Sequence, residues 1–104
     1  MTERRHLPNR RASETFAFDW PGMDFVATIS RFDDGALGEI FLSNGRVNSH
    51  ADTAARDSAV VASLALQHGV SLDTLRRSLL RDARGIASGP LGVALDLIAE
   101  LTSP

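Results

Sequence analysis

The residues best suited to hold a charged ligand fall in two short loops. Gly85-Ile86-Ala87-Ser88-Gly89-Pro90-Leu91-Gly92 precedes an expected helix, where free N–H groups and the helix dipole favour an anion and glycines allow close backbone approach. Ser88 and Gly89 are its candidate contacts. Pro90 removes one donor and no Lys follows, so this is not a P-loop, and a tight interhelical connection capped by Ser88 or Gly89 accounts for the same residues. The second loop contains Asn44, Gly45, Arg46 and, three residues on, Ser49, with Arg46 able to meet a phosphate through both arms of its guanidinium. A turn followed by a helix cap explains that pattern equally well.

Arginines supply a different chemistry. Arg77, Arg81 and Arg84 follow helical spacing at i, i+4 and i+7 with Arg76 adjacent, so a basic flank suited to nucleic acid is one reading. Asp73 lies four residues before Arg77, Asp82 is close, and no aromatic residue is interleaved for base stacking, which is the pattern of a solvated helix face. Catalytic constellations are harder to assemble. His6, His50 and His68 show no HxH or HExxH spacing, so no metal site is expected. Asp52 and Arg56 make an i,i+4 ion pair, and Ser58 and Ser63 have no base identifiable in the sequence. No catalytic residue and no cofactor are therefore expected, and the chain is not expected to act as an enzyme by itself, an enzyme of unknown chemistry being a third reading that no constellation supports.

The elements that must position these residues divide into two halves. Phe16, Phe18 and Trp20 alternate with Ala17 and Asp19, Pro21-Gly22 breaks the run, and β-forming residues resume from Met23 to Phe32. Asp33-Asp34-Gly35 turns the chain into a third strand from Leu37 to Leu42. The period then changes. Ser49 to Asp52 fits a capping box, opening an Ala-rich helix that reaches about His68, where Gly69 closes it. Ser71 caps a second helix, with Leu72, Leu75 and Leu79 as its buried stripe, expected to stop near Gly85. Pro90 opens a third, whose inward set is Leu91, Leu95, Ile98 and Leu101. The expected fold is α+β: a three-stranded antiparallel meander followed by three helices packed on one face, in the order βββααα. Residues 1–14, with Arg4, Arg5, Arg10 and Arg11, are expected as a flexible basic arm and 15–104 as one domain.

Composition narrows the function further. The chain has 104 residues, no Cys and no Lys among its 11 cations. One domain is the expected extent, and disulfides, thiolate metal sites, cysteine nucleophiles and protein thiyl radicals are excluded. The N-terminal residues carry no apolar run of signal-peptide length and no later run spans a bilayer, so a cytoplasmic location and no membrane partner are expected.

The second half also carries a resemblance. Glu39 to Arg46, then Ser49, the Ala-rich helix, and Leu64-Ala65-Leu66-Gln67-His68-Gly69-Val70-Ser71-Leu72 together resemble the TSCPD domain. That domain occurs near the C-terminus of adenosylcobalamin-dependent ribonucleotide reductases and as short stand-alone proteins. Its signature Thr-Ser-Cys-Pro-Asp corresponds here to Ala87-Ser88-Gly89-Pro90-Leu91, matching at Ser88 and Pro90 and departing at the other three. The resemblance covers roughly residues 15–100. It implies an accessory or regulatory binding domain, with a ribonucleotide-reductase-like protein as partner. Ribonucleotide reduction itself is ruled out by the absent cysteines. The alternative is a small nucleotide- or nucleic-acid-binding module using the arginines and the two loops. Self-association, as a homodimer, is expected from the two edges that a three-stranded meander leaves and from the flat packing surface of the Ala-rich helix.

Overall fold

The computed structural model describes residues 3–46 and 49–102. Residues 1–2 of the expected arm, Val47 and Asn48 of the loop before the first helix, and residues 103–104 lie outside them. Three strands, β1 (Ser13–Trp20), β2 (Met23–Arg31) and β3 (Leu37–Asn44), precede three helices, α1 (His50–Gln67), α2 (Leu72–Ser78) and α3 (Pro90–Thr102). The sheet is antiparallel in the order β1-β2-β3. This is the expected βββααα fold.

Local chemistry sets most of the boundaries. Between Trp20 and Met23 the two-residue turn has Pro21 first and Gly22 second, and Gly22 takes a φ of 82° that an L side chain resists. The Ser49 side chain accepts from Asp52 N–H at 3.1 Å to start α1. At the other end Gly69 N–H reaches Leu66 O at 3.1 Å and Val70 N–H reaches Ala65 O at 3.0 Å, with Gly69 at φ 96°, the paired bonds of a Schellman stop.

Strand alternation sends Phe18, Phe25, Ala27, Ile29, Ile40 and Leu42 to one face of the sheet. Against them α1 lays Ala55, Ala59, Ala62 and Leu66, a stripe at i, i+4, i+7 and i+11, and α3 lays Ala94, Leu95 and Ile98. Small residues on α1 let the helix come close to β3. Leu95 and Ile98 are wholly buried, and truncating either to Ala is expected to cost about 2–5 kcal/mol.

The second helix is shorter than its leucine stripe suggests. It ends at Ser78, Leu79 is extended at φ −84° and ψ 154°, and residues 81–87 form a tight hairpin bridged between Arg81 and Ala87. Turn chemistry wins over helix periodicity here. Asp82 Oδ1 accepts from the N–H groups of Arg84 at 2.8 Å and Ile86 at 3.0 Å, while Gly85 adopts φ 80°. Arg81 and Arg84 therefore lie beyond the helix, and the expected basic flank at i, i+4 and i+7 does not exist as one helical face.

The N-terminal segment is seated on the body. Arg5 N–H donates to Gln67 O at 2.6 Å, and its guanidinium lies 3.7 Å from the centre of the Phe32 ring. Arg4 Nε donates to Gln67 Oε1 at 2.7 Å, and Arg11 pairs with Glu39 at 2.7 Å. Leu7 packs where Gly38 has no side chain, since a Cβ there would lie 2.8 Å from Leu7 Cδ2. From Ser13 the segment thus runs toward β3, and β1 begins two residues before the expected domain start.

Candidate functional site

The two candidate loops line two clefts that share Ala51 on the first turn of α1. An apolar cleft of about 430 Å³ is walled by Trp20 and Phe25 from the sheet, Ala51, Ala54 and Ala55 from α1, and Leu79, Leu80 and Ser88 to Gly92 from the far loop. Trp20 Nε1 donates to Ser88 O at 3.1 Å, fixing the indole as one wall. Leu80 projects with 78% of its surface exposed. The size and lining suit an apolar ligand group or side chain. Gly89 borders this cleft with open space where a Cβ would stand, whereas a Cβ on Gly92 would lie 2.8 Å from that of Ala87. The first glycine is dispensable to packing and the second is not.

A polar cleft of about 520 Å³ adjoins it, lined by Asp24, Asn44, Gly45, Arg46, Ser49 and His50 among others, and Ala51 borders both. Asn44 shapes this cleft: its Oδ1 accepts from Arg46 N–H at 2.8 Å and its Nδ2 donates to Asp24 O at 3.3 Å. Asp52 lies buried beneath, accepting from Asn44 N–H at 2.9 Å and Arg56 Nε at 2.8 Å. The expected Asp52–Arg56 pair thus forms, and it also anchors the end of β3 to the start of α1. Asp19 stands opposite Asp24 across the hairpin. The hydrogen bond between their carboxyls, and then their like charge, hold Asp19 above the usual carboxylate range. An anion in the polar cleft would meet Arg46 beside an acidic wall.

The four candidate arginines have separate fates. Arg76 Nε and Arg81 Nη2 converge on Asp96 Oδ1 at 2.8 and 2.7 Å, and Arg81 Nη1 reaches Asp96 Oδ2 at 2.8 Å. Their first effect, the Arg81 hydrogen bonding, followed by that of Arg76, outweighs burial and lowers the Asp96 carboxyl to about 2. Arg81 also donates to Arg76 O at 3.1 Å and Gly85 O at 3.0 Å. It therefore ties α2, the hairpin and α3 together, and so holds the loop wall of the apolar cleft. Arg77 and Arg84 lie outside this network; Arg77 makes a long contact to Asp73 O at 3.4 Å.

Asp96 was missed in the sequence, where it is one acid on an apolar helix. The roles of Ser63 and Gln67 have no sequence signal either. Ser63 and Ile40 exchange two hydrogen bonds, and Gln67 Nε2 donates to Gly38 O at 3.0 Å, so both are structural clips of α1 on β3. Ser58 Oγ donates to Ala55 O at 2.9 Å, within its own helix. Among the described residues no group of three or more His, Asp or Glu side chains is placed to hold a metal ion. Among them also, no helix is long and apolar enough to cross a membrane.

Fold and site together define a small α+β domain with paired clefts at one end of its central helix. No family model matches the chain. No solved structure matches it either. The chain is 34% identical over 73 residues, 70% of its length, to the vitamin B12-dependent ribonucleotide reductase of Bradyrhizobium diazoefficiens. That stretch is 6% of the reductase, so the chain is related to one small region of a much larger protein.

Proposed function

We propose that this chain is a TSCPD-type accessory domain that works by binding to a ribonucleotide-reductase-like protein, with no chemistry of its own. The observation that carries this reading is the 34% identity over 73 residues to the B12-dependent reductase. The ordered agreement from Glu39 to Leu72 and at Ser88 and Pro90 supports it. A chain without cysteine can share the scaffold and still lack radical and redox chemistry. The apolar cleft, with Leu80 projecting at its rim, offers a surface of the kind that a partner's side chain fills.

The test is calorimetric titration of the purified chain into the reductase-like protein of the same organism. Saturable binding that weakens when Leu80→Glu is introduced is expected. No heat at concentrations well above micromolar, with the variant and the parent equally silent, overturns the proposal.

A second reading, a small nucleotide-binding module, is supported by the convergence of Asn44, Gly45, Arg46 and Ser49 with Ser88 and Gly89 around the start of α1. Titration with a deoxynucleoside triphosphate should then shift the amide resonances of both loops. Silence in both removes it.

A further inference from the structure

We propose that two copies of this chain pair through the free edge of β1, antiparallel about Ala17, joining their sheets into one. This goes beyond the accessory reading and stands on different residues.

The two edges of the sheet are treated differently. Along β3, α1 fills the place of a fourth strand: Gln67 takes Gly38 O, Ser63 takes both Ile40 N–H and Ile40 O, and Asp52 takes Asn44 N–H. Along β1 the described residues place no such clip. Its side-chain bonds run to Thr28, Arg31 and Asp24 on β2 and to Ser88 O on the helix side. The N-terminal segment leaves Ser13 toward Glu39, Gly38 and Gln67 rather than along this edge.

Strand alternation says which groups are left outward. The pair Trp20–Met23 closes the two-residue turn, so Trp20, Phe18, Phe16 and Glu14 exchange bonds with β2 while Ser13, Thr15, Ala17 and Asp19 turn their N–H and C=O away from it. The same alternation carried through β2 turns Gly38, Ile40, Leu42 and Asn44 outward from β3, and α1 takes the first, second and last of them. The outward residues of β1 are all exposed. The strand has no Pro, Lys or bulge, the devices by which edges usually refuse a partner.

The sequence of β1 suits its own copy. With Ala17 on a two-fold axis, Thr15 faces Asp19 of the second copy, Phe16 faces its Phe18, and Glu14 faces its Trp20. No like charges meet. The aromatic row, in which Phe16 and Phe18 lie 6.1 Å apart within one chain, continues into the next and covers the half-buried Phe16. Such a contact is isologous and closes at two copies.

Light scattering of the full chain over a concentration series should show a monomer–dimer equilibrium. Ala17→Pro removes an N–H that the monomer does not use, and it should raise the dissociation constant roughly tenfold or more with the circular dichroism unchanged. Because the chain has no cysteine, Ala17→Cys should form a disulfide-linked dimer under mild oxidation, the paired Cα atoms lying about 5.5 Å apart. Val61→Cys, on the exposed side of α1, should not. A monomer at every concentration overturns the proposal and leaves the edge to an extended peptide of another protein. So does equal cross-linking of the two cysteine variants, which remains decisive if Ala17→Pro fails to fold.

Discussion

Ser63 and Ile40 are joined as two paired strand residues would be: Ile40 N–H donates to Ser63 Oγ at 2.9 Å, and the Ser63 hydroxyl donates to Ile40 O at 3.0 Å. One hydroxyl thus satisfies both outward groups of a buried strand residue. In an Ala-rich helix a serine at this position reads as filler, yet it seals the centre of the β3 edge.

Ser63→Ala should therefore destabilise the fold by about 1–3 kcal/mol, because two buried backbone groups lose their partner and the new methyl is apolar. Urea unfolding would measure it as a lower midpoint at constant slope. Ser58→Ala, which removes only a bond within the helix, should change stability by a few tenths.

Asp96 sets an acid limit on the loop wall of the apolar cleft. Its carboxyl, lowered to about 2 by Arg81 and then Arg76, contributes stability that is complete above the ordinary carboxylate value of 3.8 and is lost as pH falls toward 2. Asp96→Asn should flatten the stability profile in that window and cost on the order of 1 kcal/mol at neutral pH, reduced from the full shift because the side chain is 28% exposed. Amide exchange should rise across residues 79–89, and raised salt should narrow the difference from the parent.

Nothing in this fold demands a glycine at position 89. Its φ lies outside the left-handed region and a Cβ would meet no atom within 4 Å. Gly89→Ala and Gly89→Cys should both fold with stability within about 1 kcal/mol of the parent, the lower entropy of the unfolded chain offsetting a poorer cap for α3, as thermal unfolding would show. Gly92→Ala, which crowds Ala87 at 2.8 Å, should lower it.

How far the sequence could be read depended on the range of each signal. The switch from period 2 in β1 to period 3.6 in α1, the Pro21-Gly22 turn and the Ser49, Ser71 and Pro90 starts are all local, and the order βββααα follows from them. The end of α2 was misread because Leu72, Leu75 and Leu79 keep helical spacing past Ser78, and a leucine stripe does not reveal that Asp82 and Gly85 close a competing turn. That signal was present as Asp-x-x-Gly. The arginine flank failed with it.

By itself the sequence determined the element order, the inward faces and the exclusion of cysteine chemistry, since each is a property of residue type or of neighbours within a few positions. Only the tertiary structure decided which polar residues are clips and which remain free for a ligand. Arg4 finds Gln67 at a separation of 63 residues, Trp20 finds Ser88 at 68, and Asp96 collects Arg76 and Arg81 at 20 and 15. A hydrogen bond acts over about 3 Å of space and carries no trace in local periodicity, so only the packed chain shows which loops border one helix end, which arginines are already held and which edge of the sheet α1 clips.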